Sequence, residues 1–533
     1  MTISFSSIPY RQTHSFSSLV CDYLAGSEYL KSFYRFGTDK AGLEQALEAR
    51  KKHQPDRKIL SDVLYDQYAE MPVHERVKVN LDLLKKQNTF TICTAHQPNL
   101  MTGYLYFIYK IIHAIKLAEE LTTLFPGHHF VPVYYMGSED NDLEELGVFR
   151  YNNRKFVWDG GGQKGAVGRM STKTLKPLLD ELFNIMGPPG AYCDELKKIL
   201  SEAYLQQPTI GKATQFLVNE LFGKYGLVVI DPDDRRLKAS FANVIKDDLL
   251  HQTAHDLVSQ QINALAQRYK VQAQPRPINL FYLKDDLRER IEEHDGTWRV
   301  VNTDIRWNEE QLLRELNDFP ERFSPNVILR GVFQETILPN IAFIGGGAEV
   351  AYWLQLMPVF DHYGVFYPSI HLRQSALWIE NRQSKMRRQL DLGIADLFKP
   401  ETELVHDFIR TNSSDDWQTT TEMHNIDQTI QQLKQKAIRL DPTLKASAEA
   451  ALAKMRHQVE VLEKKMLRAE KRKMQQVVEQ IGKLKNFLFP GNGLQERIEN
   501  FLHYYLTYGP IFFDMLKDHM EPLKHEFLVA EED

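Results

Sequence analysis

Cysteine is scarce in this chain. There are three in 533 residues, Cys21, Cys93 and Cys193, widely separated and in no CxxC or Cys/His grouping. A disulfide framework and a zinc module are thereby disfavoured, and free thiols in a reducing cytoplasm are expected. Long apolar runs are also missing. No window approaches the roughly 18 uninterrupted apolar residues of a membrane span. The opening MTISFSSIPYRQTHSFSSLV lacks the basic leader and apolar core of a signal peptide, so a cytoplasmic location is expected. Basic charge is not in excess either: 65 Lys and Arg face 71 Asp and Glu, a formal net charge of −6, which argues against a dedicated polyanion binder. The phosphate-binding signature GxxxxGK[ST] does not occur, and the Gly345-Gly346-Gly347-Ala348-Glu349 loop lacks the GxGxxG spacing. What is present, 43% apolar and 26% charged residues, describes a globular protein too long for one core, with two to four structural units expected.

The stretch from Thr89 to Glu145 organises the rest. An apolar run (Phe90, Ile92, Cys93) ends in a polar loop. A helix pattern follows, with Leu105, Ile108, Ile112, Ile115, Ala118 and Leu121 three or four apart. After Pro126-Gly127 comes a second apolar strand, Phe130 to Met136, and then an acidic loop. Such a strand–helix–strand unit makes its two strands parallel, and both loops emerge where open α/β sheets keep their ligands. His96 and Gln97 should therefore face Ser138, Glu139, Asp140 and Asp142 across one crevice. Further strands are expected at Gly226 to Asp231, Pro277 to Leu283, Asn326 to Arg330, Ile341 to Ile344 and Val365 to Ile370.

The predicted fold class is α/β, a Rossmann-like core with two inserted segments and a C-terminal helical coiled coil. Residues 1–148 hold mostly helical N-terminal elements and the first half of the core. A first insertion spans 149–210, a core strand and helix 211–245, and a second insertion 246–322. The second half of the core spans 323–380. A helical stretch, 381–489, and a segment docking on the core, 490–533, complete the chain. Leu444, Leu452, Met455, Val459, Leu462 and Met466 recur at helical spacing. A helix from 444 to 488 would be roughly 65 Å long at about 1.5 Å per residue, so a hairpin or coiled coil covered in part by a second protomer is expected.

Each candidate group has a plainer reading beside the chemical one. The helix start after His96 has unpaired amide groups suited to phosphate or carboxylate, Gly103 permits close backbone approach, and Lys110 lies two turns in; His96 could equally cap the loop and Lys110 face solvent. Glu139, Asp140 and Asp142 could serve as general base, or hold an amine, a ribose or Mg²⁺; they could also cap the next helix. Gly345-Gly346-Gly347-Ala348-Glu349 could admit a phosphate or be a tight turn. Arg330 and Arg373, at predicted strand ends, could pair with an anionic substrate or a neighbouring carboxylate. Six basic residues between Lys464 and Lys473 suggest nucleic-acid binding, against which stands a solvated helix face. No metal site is indicated.

Thr94-Ala-His-Gln-Pro with Gly103-Tyr104-Leu-Tyr-Phe-Ile-Tyr-Lys110 resembles the first motif of the bacillithiol biosynthesis cysteine-adding enzymes, the cysteine ligases. Ser138-Glu-Asp-Asn-Asp142, Asp231-Pro-Asp-Asp234, Asn279-Leu-Phe-Tyr282, Gly346-Gly-Ala-Glu349 with Ala351-Tyr352, and Gly493-Leu-Gln-Glu-Arg497 continue the resemblance in order. It implies a core similar to class I aminoacyl-tRNA synthetases and nucleotidyltransferases, and a homodimer through the coiled coil. It also implies an amide-forming ligase that joins L-cysteine to glucosaminyl-malate in the last step of bacillithiol synthesis; because a carboxylate needs activation, analogy with the Rossmann-like core adds ATP as co-substrate, with Mg²⁺ as an option and no tightly bound cofactor. Glu139, Asp140 and Asp142 become the catalytic candidates. Binding falls to His96, Gln97, Gly103, Tyr104, Lys110, Ser138, Asp231, Asn279, Tyr282, Arg330, Gly345, Gly346, Gly347, Glu349, Tyr352 and Arg373. Nucleic acid and membrane are not expected partners. The alternatives are another nucleotidyl-transfer or amide-forming enzyme on this scaffold, and a non-enzymatic coiled-coil nucleic-acid-binding protein.

Overall fold

A computed structural model describes residues 2–413 and 419–533. The strands that build the site are β1 (Ile3–Pro9), β2 (Thr89–His96), β3 (His129–Met136), β4 (Val228–Ile230), β5 (Asn340–Gly345), β6 (Ser369–Leu372), β7 (Ala376–Ile379) and β8 (Glu526–Glu532). The central sheet has the order β6-β5-β2-β3-β4, and every pairing in it is parallel. Numbered by their own succession, its strands run 3-2-1-4-5, the doubly wound order. A parallel sheet covered on both faces needs near-continuous apolar strands. TFTICTA in β2 meets that need, being buried throughout. Pro132 in β3 is tolerated because it precedes the stretch, Val133–Tyr135, that pairs with β4.

Helix α1 (Leu105–Leu124) carries the chain from β2 to β3 and is buried through most of its length, Lys110 and His113 included. A short helix, α2 (Arg235–Ala239), follows β4 and is capped by Asp234. Between β4 and β5 a second, antiparallel sheet of five strands forms from Leu280–Lys284, Leu287–His294, Thr297–Val300, Arg306–Trp307 and Phe323–Pro325. Helix α3 (Val327–Ile337) leads into β5, and α4 (Gly347–Trp353) leaves it.

Three expectations need correction. Asn326 to Arg330 is not a strand. The Asn326 carboxamide accepts from the Ile328 amide at 2.8 Å, and this cap starts α3 despite the β-branched residues that follow. The N-terminal region is not helical from its start, because β1 pairs antiparallel with β8, which pairs parallel with β7. The long C-terminal helix is not continuous. Helices α5 (Thr420–Leu440) and α6 (Lys445–Lys473) form a hairpin, and a break at Met474 starts α7 (Gln475–Leu488). Ile481, Leu484 and Leu488 of α7 are buried within the chain's own core, so the second half of the apolar stripe is already covered. Leu433, Leu440, Met455 and Leu462 on the hairpin remain exposed. Among the described residues, no helix is long and apolar enough to cross a membrane.

Candidate functional site

In a sheet of this order the first and fourth strands diverge to opposite sides, and a crevice opens above their carboxyl ends. Here those strands are β2 and β5. A cleft of about 830 Å³ lies at that point, walled by His96 and Gln97 after β2, Glu139 and Asp140 after β3, Gly346 to Glu349 after β5, and Arg373 after β6. The inserted antiparallel sheet and its flanks add Arg276, Phe281, Arg288, Ser324 and Asn326, and α3 adds Arg330. The two loops expected to face each other are joined directly: the Gln97 side chain donates to an Asp140 carboxylate oxygen at 3.1 Å. Lining cations (Lys110, Arg276, Arg288, Arg330, Arg373 and Arg497) outnumber lining carboxylates (Glu139, Asp140, Glu145 and Glu349), so the cleft favours anionic ligands.

Several of these cations are already engaged. Lys110 is buried, donates to the Ala95 carbonyl at 3.0 Å and forms an ion pair with Glu349. Burial pulls its ammonium below the usual range and Glu349 opposes that. The other duty of Glu349 is to accept from the Gly346 amide at 2.8 Å, capping α4. Arg373 makes a two-pronged pair with buried Glu496 at 2.6 and 2.8 Å. Arg330 is different. Its guanidinium donates to the Tyr352 hydroxyl at 2.6 Å and to the Gln334 side-chain Oε1 at 3.2 Å, and among the described residues no carboxylate lies within ion-pair distance. Burial works against its charge, but Tyr352, Tyr135 and Glu349 more than offset this and keep it charged.

His96 packs between the rings of Tyr106 and Phe107. Burial first, then the nearby Lys110 and Arg373, hold its imidazole well below the usual histidine range, so it enters any chemistry neutral. The helix start beyond it is also occupied: the Leu105 amide donates to the Glu499 carbonyl at 2.9 Å. Gly103, with φ of +69°, approaches Asn99 rather than the cleft, and its carbonyl is held by Asn500. Tyr104 leans on Tyr106.

In the acidic loop the carboxylates part company. Glu139 is buried in the cleft wall against Lys238 of α2, and its carboxyl is pushed up by burial while Lys238 opposes the rise. Asp140 lies 3.7 Å from Arg288. Asp142 is exposed and accepts from the Glu145 amide at 3.1 Å, capping the next short helix. Ser138 donates to Asp231 at 2.5 Å, tying the end of β3 to the end of β4. Burial, then Asp233, push the Asp231 carboxyl up to about 6.

Seven predicted binding residues, Gly103, Tyr104, Ser138, Asp231, Asn279, Tyr282 and Gly345, and the predicted catalytic Asp142 stand outside the cleft lining. Asn279 is buried against Asp248, whose carboxylate accepts from its amide at 2.6 Å, and it orders the loop that carries Arg276. The Tyr282 hydroxyl donates to Glu315 at 2.5 Å. Gly345 serves packing, since a Cβ there would meet Glu349 and Phe343 at 2.9 Å, whereas Gly346, Gly347 and Tyr352 do line the cleft. Lys238, Arg288, Ser324 and Glu496 were not singled out from the sequence. Glu496 lies inside the quoted Gly493–Arg497 motif, and Lys238 follows Asp234 by four residues, a spacing that puts both on one face of α2.

Four lining residues carry a buried polar atom with no protein partner: His96 Nε2, Arg288 Nε, Ser324 Oγ and Arg373 Nε. Such atoms cost roughly 1–3 kcal/mol each when unsatisfied. Their concentration in one cleft fits a polar ligand that satisfies them. Among the described residues no group of three or more His, Cys, Asp or Glu is placed to hold a metal ion.

Two family models match the chain. One, described as the N-terminal Rossmann-like domain of BshC of bacillithiol biosynthesis, covers residues 3–374, and the other, the C-terminal coiled-coil domain of BshC, covers 376–532. A protein of Christiangramia forsetii named "Putative cysteine ligase BshC" is 39% identical, over 98% of both chains. Proteins of the same name from Flavobacterium psychrophilum and Flavobacterium johnsoniae are each 38% identical, again over 98% of both chains. A solved structure titled as an arginyl-tRNA synthetase of Campylobacter jejuni aligns at 9% identity over 87% of this chain and 96% of its own, with a TM-score of 0.22 that carries no inference.

Proposed function

Because the chain belongs to the BshC family of bacillithiol biosynthesis, we propose that it is the cysteine ligase of that route, forming an amide between the carboxyl of L-cysteine and the amine of glucosaminyl-malate in the last step. A carboxylate does not condense with an amine unaided, so the cysteine carboxyl is activated by ATP as an acyl-adenylate or acyl-phosphate. Mg²⁺ would accompany the nucleotide's phosphates and offset their charge. The observation that carries this reading is the cleft at the doubly wound switch point, with Arg330 charged and, among the described residues, no carboxylate within ion-pair distance of it. Arg330 holds a carboxylate of the malate group. Gly346, Gly347 and neutral His96 bound the activated acyl group, and Glu139 and Asp140 face the amine. The chain works in the cytoplasm as a homodimer joined at the coiled coil.

The nucleic-acid alternative would use the six basic residues from Lys464 to Lys473, of which Lys473 is turned to Glu470 at 2.6 Å; elsewhere on the hairpin Arg456 pairs with Asp427 at 2.8 Å and Lys434 with Glu449 at 2.6 Å.

The test is product formation. Purified protein with L-cysteine, glucosaminyl-malate and ATP, with and without cell extract, should yield the thiol amide by mass spectrometry. R330M should raise the KM for glucosaminyl-malate about 10- to 100-fold, matching a charged hydrogen bond of roughly 1.5–3 kcal/mol, with kcat little changed. No product under either condition refutes the proposal.

A further inference from the structure

Lys238 is fully buried, yet its ammonium does not end in an enclosed ion pair. It donates to Glu139, which lines the cleft, and to the Phe323 carbonyl at 2.9 Å on the inserted sheet, while sitting 5.3 Å above the Phe333 ring. The lysine stem thus reaches from α2 beneath the cleft wall and touches a buried carboxylate that looks into it. A second carboxylate pair stands behind: Arg169 grips Asp233 at 2.6 and 2.8 Å, and Ser138 grips Asp231. The charged groups facing Glu139 are therefore Lys238, Asp233, Asp231, Arg169 and Arg288.

We propose that Lys238 is a positioning residue for amide formation, which fixes Glu139 on the cleft wall as the carboxylate that takes the proton from the acceptor nitrogen. The inference rests on the ligase reading above. The acceptor enters the step as the free amine. Its lone pair forms the C–N bond to the activated acyl carbon, and the phosphate-bearing group leaves with the C–O bonding pair. The nitrogen, now cationic, passes one proton to Glu139, which later returns it to solvent. Burial alone pushes Glu139 toward its protonated, useless form, and an adjacent ammonium favours the charged form. Removing that ammonium should therefore raise the pH at which Glu139 becomes a base.

The experiment compares wild type, K238M and E139Q as full-length proteins. With ¹³Cδ-glutamate labelling, the resonance missing in E139Q identifies Glu139, and its titration without substrates reports the pair whatever reaction the enzyme runs. K238M should move that midpoint upward by about 1 to 3 pH units, and the acid limb of kcat/KM for amide formation should move with it. A folded K238M whose midpoint stays where wild type has it overturns the proposal, as does a uniform loss of rate with no shift in the limb. If the midpoint shifts but wild type makes no amide, the pairing holds and the reaction assigned to it fails. Should K238M not fold, E139D decides. Its shorter carboxylate draws back from the acceptor, so kcat should fall while KM holds, and an E139D with wild-type kcat refutes the role.

Discussion

The pair between Arg373 and Glu496 should behave as a latch between the sheet and the C-terminal segment. Both side chains are nearly inaccessible, 2% and 0% exposed, and two hydrogen bonds of 2.6 and 2.8 Å join them. Ser375 bonds to both, at 3.1 and 3.2 Å. E496Q keeps the volume and one acceptor but leaves a buried guanidinium uncompensated. Breaking a buried pair from one side costs about 3–5 kcal/mol. At 1.36 kcal/mol per factor of ten, amide exchange in residues 494–508 should accelerate by roughly two to three and a half orders of magnitude. Hydrogen-exchange mass spectrometry of those peptides reads the opening locally, which suits a chain this long better than one global unfolding free energy. The paired replacement R373M/E496L removes both charges together and should bring exchange back to within about tenfold of wild type. Acceleration below tenfold in E496Q, or no recovery in the double variant, would show that the latch does not hold the segment.

Acid should weaken the fold through its buried histidines. Burial, with His525 and Arg373, brings His113 down to about 3, against about 6.5 in an unfolded chain. The folded form therefore refuses a proton that the unfolded form accepts below pH 6.5, so this contribution is complete above that pH and fades as pH falls toward 3. Between pH 7.5 and 5 wild type should lose about 2 kcal/mol relative to H113Q. Taking the difference between the two proteins cancels buried carboxyls such as Asp248 and Glu335, each pushed by burial up to about 7, which titrate in the opposite sense. A stability gap equal at both pH values would contradict this. On the hairpin, light scattering of L433K/L462E should report a monomer where wild type is a dimer, because both leucines are about half exposed, 54% each, and the chain itself does not cover them. A dimer that survives those charges moves the interface elsewhere.

What was legible in the sequence follows from how far apart the interacting residues are. The β2–α1–β3 unit could be read because a strand buried on both faces must be apolar throughout, and a helix beneath a sheet must repeat its apolar residues at three and four. The carboxyl-end rule places a crevice above β2 and β5, where the cleft lies. The start of α3 could not be read: Asn-Val-Ile-Leu has strand-forming residues, and the decision falls to a single capping bond at Asn326. Asp142 looked like its neighbours Glu139 and Asp140, yet a capping position claims it. Nothing local announces that Arg373 meets Glu496, or that Lys238 comes up beneath Glu139, since each partner lies about a hundred residues away. The strands β1 and β8 were hidden for the same reason, each half of a pair whose other half is at the far end of the chain.

That last pairing bears on biosynthesis. Ile3–Pro9 leaves the ribosome more than five hundred residues ahead of the strand it zips onto, Glu526–Glu532. At about 5–20 residues per second, the early strand waits roughly half a minute to two minutes with its edge unsatisfied. Throughout that interval it is a template for any passing strand. Its Ser4, Ser6 and Ser7, in place of a fully apolar run, make it a poor one. Closure of the small sheet thus waits for Glu526–Glu532, and a nascent chain should remain sensitive to chaperone depletion until that strand emerges.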